Sequence, residues 1–252
     1  MSASSFPDHF SSRAADYARY RPDYPDALFD FLASLAPARR RAWDCATGSG
    51  QAAAGLAARF EQVVGTDASA LQIAAAVRKP GVLYRVALAD ASGLQNGSID
   101  LVTVAQALHW LNRDRFWPEA DRVLAAGGVI AVWCYGFLRV TPEVDAVVRR
   151  LSSEVVGPYW PPERALVDRG YGKLEFPFEE LPAPAFAMGK LWTFPDLIGY
   201  LRTWSASRRF EESTGDDPLR IVESELRAAW GEPKDARTAR WDLDLRVGRK
   251  RY

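Results

Sequence analysis

Cysteine is nearly absent. Cys45 and Cys134 are the only two in 252 residues, too few for a disulfide framework in a chain of this length, so a reducing compartment is expected. No charge of either sign is in excess, with 32 basic and 32 acidic residues. The basic surplus that neutralises phosphates in nucleic-acid binders is therefore missing. The basic runs at residues 39–41 and 246–251 read as a solvated helix end and a terminus. No stretch approaches the roughly 20 apolar residues that span a bilayer. Residues 1–20 are polar and lack the apolar segment of a signal peptide, so a soluble, cytoplasmic protein is expected. Disorder is excluded as well, because 48% of residues are hydrophobic and only 25% charged, enough to bury a self-sufficient core.

What is present is alternation. Short apolar runs at 41–46, 62–66, 82–87, 99–105 and 129–133 are separated by amphipathic stretches at 51–60, 69–79 and 114–124. That order builds a parallel sheet covered by helices on both faces. The run from 99 to 105 is continuously apolar, as in a strand buried on both sides. Gly127 and Gly128 read as the stop signal of the helix before the fifth strand. Two N-terminal helices are expected, over 8–20 and 26–36, the second with Leu28, Phe29, Phe31, Leu32 and Leu35 at helical spacing. Residues 141–215 change character, with many prolines and the aromatics Tyr159, Trp160, Tyr171, Trp192 and Trp204. They read as a cap inserted late in the sheet, built of helices such as 143–156 and 194–205. The tail returns to the core as a helix over 217–230 and an alternating strand over 238–247, antiparallel at or near a sheet edge.

The strongest motif is Asp44-Cys-Ala-Thr-Gly-Ser-Gly50, between the first strand and its helix. Glycines there let the backbone approach a ligand closely, and in doubly wound folds this turn lies at the crevice that binds nucleotides. A dinucleotide fingerprint competes for the same residues, since Ala53 is tolerated at its third glycine position. Asp44 tips the balance, because an acidic turn suits a ligand that carries an ammonium group and no pyrophosphate. Asp67 ends the second strand, where a carboxylate can accept both hydroxyls of a ribose or cap the following helix. Asp90 follows the third strand, placed to accept from an adenine amino group or simply to make a turn.

At these residues the chain resembles the class I S-adenosyl-L-methionine-dependent methyltransferases, in the type 11 branch of trans-aconitate methyltransferase-like proteins. The matching segments are 17–25 (Tyr17-Ala-Arg-Tyr-Arg-Pro-Asp-Tyr-Pro25), the turn 44–51, Asp67, residues 100–110, residues 122–128 and residues 245–249. The resemblance is strong over 13–135 and thin over 140–215. It departs at Ala46, where the family usually has its first glycine. It implies an α/β fold, a doubly wound, mostly parallel seven-stranded sheet with helices on both faces. It also implies a single methyltransferase domain over 1–252, with 1–36 as N-terminal capping helices and about 140–215 as a substrate-side cap insertion. By the same resemblance Asp44, Ala46, Gly48 and Gly50 sit against the cofactor S-adenosylmethionine. Asp67 holds its ribose, Asp90 and Ala91 its adenine, and Gln106 lies near its methionine portion. Tyr20 and Arg21 close over that end, Arg21 as a candidate partner for the carboxylate.

His109, followed by Trp110, falls just past the fourth strand, where these folds place substrates. It is a candidate base for a hydroxyl or amine nucleophile, or a packing residue. Arg202, Arg208 and Arg209, near Trp204 in the cap, are candidates to grip an anionic substrate. The expected partner is a small organic molecule, an anion methylated on oxygen, with neither nucleic acid nor membrane, and no metal is called for. Two alternatives stay open: a nicotinamide-dependent oxidoreductase on the same fold, and a non-catalytic S-adenosylmethionine-binding protein.

Overall fold

The computed structural model describes residues 20–251. The helix expected over 8–20 falls outside the described residues, Tyr20 apart. The described chain opens with α1 (Asp26–Leu35), which buries Leu28, Phe29, Leu32 and Ala33. Five strands follow, β1 (Arg41–Cys45), β2 (Gln62–Asp67), β3 (Val82–Val86), β4 (Ile99–Ala105) and β5 (Leu124–Tyr135). The helices between them are α2 (Gln51–Leu56), α3 (Ala70–Ala75) and α4 (Arg113–Val123). These five strands are mutually parallel, in the spatial order β3-β2-β1-β4-β5. The order reverses between β1 and β4, which opens a crevice at their carboxyl ends.

Alternation along the strands feeds two apolar layers, one on each face of the sheet. Ala42, Leu101, Val129, Ala131 and Trp133 join Leu28 and Leu56 in the first layer. Trp43, Val102, Val104, Ile130 and Val132 join Phe116 and Trp117 in the second. Both layers are buried, which is why the inner strands read as continuous apolar runs.

Beyond β5 lies the cap, with α5 (Pro142–Arg150), α6 (Arg164–Asp168), β6 (Glu179–Leu181), β7 (Ala187–Trp192), α7 (Phe194–Arg202), α8 (Ser205–Thr214) and α9 (Glu223–Trp230). The chain then enters β8 (Arg237–Arg249). Its second half pairs antiparallel with β5 and with the short β6, and its first half with β7. One long strand thus belongs to the sheet at one end and to the cap at the other. Trp241 on that strand packs at 4.9 Å from Trp192 and 5.4 Å from Tyr200, ring centre to ring centre. Its indole N–H also donates to the Tyr200 hydroxyl at 3.1 Å.

The sheet path β3-β2-β1-β4-β5-β8-β6 has the seven strands expected, and β7 adds an eighth that pairs with β8 alone. Two details differ from the sequence reading. The helix expected over 143–156 ends at Arg150 and continues as a wider π-helical turn, Leu151–Val155. Gly127 and Gly128 do not stop a helix. The helix ends at Val123 and β5 begins at Leu124, with a register shift against β4 between Ile99 and Leu101. Gly127 takes a φ of 70° there, and a Cβ on Gly128 would meet the Ala125 carbonyl oxygen at 2.9 Å. The pair is needed for a bulge inside the strand.

Candidate active site

The crevice between β1 and β4 holds a cleft of about 990 Å³, counted out to its open mouth. The β1–α2 turn forms one wall through Ala46, Thr47 and Gly48, and the end of β2 forms another through Asp67 and Ala68. Ala105 at the end of β4 and Gln106 and Ala107 just after it close the floor, with Trp110 and Leu111 beyond. Alanines at 46, 52, 68, 87, 89, 105 and 107 keep these walls low.

Backbone conformation shapes this cleft more than side-chain reach does. Among the described residues, the non-glycine residues with positive φ are Ala46 at 53° and Gln106 at 55°. Both line the cleft, at the ends of adjacent strands. Left-handed backbone is costly for a residue with a Cβ, and such outliers gather at functional sites. Gly48 and Gly50 also have positive φ, but their surroundings differ. A Cβ on Gly48 would point into open space, its nearest neighbour Gln72 Oε1 at 3.9 Å, whereas one on Gly50 would strike the Tyr84 hydroxyl. Gly48 therefore leaves room for a ligand, and Gly50 leaves room for Tyr84.

Asp44 lies beneath the turn rather than on the cleft wall. Fully buried, its carboxylate accepts from the Thr47 hydroxyl at 2.5 Å, the Thr103 hydroxyl at 2.8 Å and the Ala53 N–H at 3.1 Å. Burial raises its pKa to about 6, against the lowering effect of those three donors. Asp44 thus ties β1, β4 and α2 together under the turn. Asp67 stands at the cleft itself. Its Oδ2 accepts from the Gly48 N–H and its Oδ1 from the Ser69 N–H, each at 2.9 Å. It is Ser69 that caps α3, accepting from the Gln72 N–H, so Asp67 is not that helix's cap.

The remaining residues singled out in the sequence divide. Asp90 pairs with Arg115 at 2.7 Å, in a turn closed by a bridge between Leu88 and Ala91. Ala87 and Ala89 of the same loop reach the cleft wall, while Asp90 and Ala91 do not. Gln106 spends its side-chain amide on the backbone of Tyr135, accepting from its N–H at 2.7 Å and donating to its carbonyl at 3.1 Å. Tyr20 packs its ring against Gly199 of the cap.

A second chamber of about 660 Å³ adjoins the cleft, sharing Gln106 and Trp110 as walls. Tyr135 and Phe137 contribute from the end of β5, Trp160 and Arg164 from the cap's first half, and Tyr200 and Trp204 from α7 and its end. Arg21 and His109 complete it. Arg21 donates to the Tyr135 hydroxyl at 3.2 Å and stacks on Tyr200. Arg164 lies over the Trp160 ring at 4.4 Å and pairs with Asp168 at 2.7 Å. By contrast, Arg202, Arg208 and Arg209 line neither space. They engage Asp217, Glu212 and the Tyr159 carbonyl respectively.

His109 sits on a 3₁₀ turn, Leu108–Trp110, immediately after β4. Its Nδ1 lies 2.7 Å from the hydroxyl of the fully buried Tyr171. Burial, followed by the positive charge of Arg164, lowers its pKa to about 4, so the ring is neutral near pH 7. Arg164 and Tyr171 were not legible as site residues, since Arg164-x-x-x-Asp168 reads as an exposed helical ion pair and Tyr171 as cap packing. Among the described residues no cluster of three His, Cys, Asp or Glu side chains is placed to hold a metal. No helix among them is long and apolar enough to cross a membrane.

Comparison with known proteins agrees with this geometry. The family profile described as "Methyltransferase domain" matches residues 43–132, the span from β1 to β5. A Dictyostelium discoideum protein provisionally named a methyltransferase is 35% identical over 229 residues, 89% of this chain and 87% of its own. A solved structure provisionally described as a type II methyltransferase from Anaeromyxobacter dehalogenans is 47% identical. It superposes with a TM-score of 0.86 over 91% of this chain and 98% of that one. At 17% identity and a TM-score of 0.51, phosphoethanolamine N-methyltransferase 2 of Haemonchus contortus, solved with S-adenosylhomocysteine, shares the fold over 99% of this chain and 61% of its own. The nicotinamide oxidoreductase and non-catalytic readings are thereby set aside: the chain belongs to the class I S-adenosylmethionine-dependent methyltransferases and is an enzyme of that family.

Proposed function

We propose that the protein transfers a methyl group from S-adenosylmethionine to a carboxylate oxygen of a small organic anion, as in the trans-aconitate methyltransferase-like branch. The observation that carries this reading is the adjacency of two spaces. A cleft floored by backbone and alanines shares Gln106 and Trp110 with an aromatic chamber that holds Arg21 and Arg164.

The cleft suits the donor because Gly48 leaves open space where a side chain would stand and Asp67 stands at its edge. In this reading the turn from Ala46 to Gly48 lies against the cofactor, with Gly50 and the buried Asp44 shaping that turn from behind. Asp67 accepts from the ribose hydroxyls, and the loop of Ala89, Asp90 and Ala91 flanks the adenine. The backbone of Gln106 borders the methionine portion, and Tyr20 and Arg21 close that end. Bound there, S-adenosylmethionine supplies a methyl carbon on a sulfonium, so the acceptor oxygen's electron pair forms the new O–C bond while the broken C–S bond leaves its pair on sulfur.

The chain's own residues then have little chemistry to perform. Alignment of two reactants accounts for about 7–11 kcal/mol of barrier lowering, and the walls of the chamber supply it. Trp110, Trp160 and Trp204 exclude water and flank a planar group, while Arg21 and Arg164 offer paired donors to an anion. An ionised carboxylate carries no proton to remove, which fits a site whose one histidine is neutral and buried. Within this reading the whole chain is one methyltransferase unit, capped by residues 1–36 and 140–215. It acts in the cytoplasm, where Cys45 and Cys134, buried and unpaired, stay reduced. Labelled-methyl transfer into a metabolite extract, followed by mild alkaline hydrolysis, tests the assignment. Label released from an acidic acceptor supports a carboxylate ester, and label stable to base on a nitrogen or carbon overturns it.

A further inference from the structure

The hydrogen-bond pattern around His109 carries one step more. Tyr171 follows α6 on its own 3₁₀ turn, Tyr171–Lys173, with its side chain fully buried. Its phenol oxygen lies 2.7 Å from His109 Nδ1. A phenol has one proton to give. Nδ1 is the polar atom within hydrogen-bond distance of it, and the reverse direction would leave a buried hydroxyl proton with no acceptor. Burial holds the phenol pKa well above its ordinary value, so the proton stays on Tyr171.

We propose that Tyr171 locks His109 as the tautomer with its proton on Nε2, making it a fixed hydrogen-bond donor to the acceptor's oxyanion rather than a base. Because Nδ1 accepts from the phenol, the neutral ring carries its proton on Nε2. Nδ1 is turned toward the buried phenol, so the edge bearing Nε2 is the one left for the chamber His109 lines. The positive charge of Arg164 opposes a second proton, and Arg21 lines the same chamber. Asp244 is engaged by the Tyr171 N–H at 2.9 Å, and Cys134, behind the phenol, keeps its proton because burial raises its pKa to about 12. A ring already protonated on its free nitrogen, beside a guanidinium, does not take a proton from a hydroxyl. The acceptor must therefore arrive ionised. His109 and Arg164 would bind the oxygen that does not attack and leave the other oxygen turned toward the cleft. This inference rests on the acceptor reading above and names the residues that select it.

The tautomer is readable without knowing the substrate. The full chain has two histidines, so long-range proton–nitrogen spectra of the ¹⁵N-labelled protein contain two imidazoles, and His109→Gln identifies the one in question. The expected result is an unprotonated Nδ1 and a protonated Nε2, unchanged between pH 5 and 8. In Tyr171→Phe, which keeps the ring and its packing, the nitrogen shifts should move toward a mixture of tautomers. A proton on Nδ1 in the wild-type protein, or a titration with a midpoint near 6.5, overturns the proposal. With the acceptor found by labelled transfer, His109→Leu should lower kcat/KM about 10–150-fold, the range for losing a donor to a charged group. His109→Gln, which retains an N–H donor, should fall closer to wild type, and the wild-type rate should stay flat from pH 6 to 8. Equal loss in both variants, with a wild-type rate rising through pH 6.5, would make His109 the base instead. Calorimetry with S-adenosylhomocysteine on the same samples separates the two levels. Absence of binding would sink the cofactor assignment, whereas the nitrogen spectra judge the tautomer alone.

Discussion

The cleft and the chamber meet at Gln106 and Trp110, yet they are made differently. The cleft is drawn by main chain, with two non-glycine residues and Gly48 held at positive φ, a buried carboxylate beneath the turn and another at its edge. Its residues come mostly from the ends of four neighbouring parallel strands and the turns that leave them. The chamber is drawn by side chains from the N-terminal segment, β5, three separate parts of the cap and the turn after β4. A donor common to a whole family needs the first kind of wall. An acceptor that differs from member to member needs the second, because side chains change without disturbing the sheet.

If the cap is held by its aromatic packing, Trp241→Ala should be the most damaging of the substitutions considered. Trp241 is fully buried against Trp192 and Tyr200, and truncations of this kind cost about 3–5 kcal/mol. Denaturant unfolding would show it, and a loss below about 1 kcal/mol would mean that the β7–β8 ladder alone holds the cap. The next effect in size concerns the chamber. Arg164→Ala should lower kcat/KM for the acceptor about 10–150-fold through loss of a charge-assisted hydrogen bond, and steady-state kinetics that show no change would remove Arg164 from the acceptor's walls.

The two halves should also respond to pH with opposite signs. His109 has a folded pKa near 4, below its ordinary 6.5. The unfolded chain therefore binds more protons between those values, and stability falls as pH drops through that window, by up to about 1.4 kcal/mol per unit. Asp44 has a folded pKa near 6, above its ordinary 3.8. Its contribution is complete below pH 3.8 and is lost as pH rises toward 6. Subtracting the stability profile of His109→Gln from that of wild type should leave a difference that grows toward alkaline pH between 4 and 6.5. A flat difference would mean that the histidine is not desolvated. The smallest effect is expected at Ala46, where φ is 53°. Ala46→Gly relieves a left-handed alanine, and the backbone entropy of glycine offsets part of that gain. Melting temperature should show a stabilisation of at most about 1 kcal/mol, and a clear loss would show that the turn depends on the alanine methyl.

How much of this was legible follows the same division. Among the five parallel strands, β1, β2, β4 and β5 announced themselves because burial on both faces demands unbroken apolar runs, and the β1–α2 turn because its glycines cluster. The place of Asp67 was readable at the end of β2, where its carboxylate meets the Gly48 and Ser69 N–H groups. The role of Asp44 was less so: an acid before a glycine turn can face a ligand or lie beneath it, and only the positions of Thr47, Ala53 and Thr103 decide. Nothing in the local sequence marks the positive φ of Gln106 or its amide's pairing with Tyr135, since both arise from how β4 and β5 end side by side. The cap was the least legible part. Ala187–Trp192 forms β7 around a glycine with only Met188 and Trp192 buried, which is too weak an alternation to read. The cap arginines expected to grip the substrate proved to hold Asp217, Glu212 and a carbonyl instead, because chamber walls are set by long-range packing.

The division of labour between the two spaces has a direct test in calorimetric titration of S-adenosylhomocysteine into wild type, Asp67→Ala and Arg164→Ala. Asp67→Ala should weaken binding about 10–150-fold, the value of hydrogen bonds to a charged acceptor, while Arg164→Ala should bind as wild type does. Equal affinity for wild type and Asp67→Ala, or a comparable loss in Arg164→Ala, would contradict the assignment of the cleft to the donor and the chamber to the acceptor.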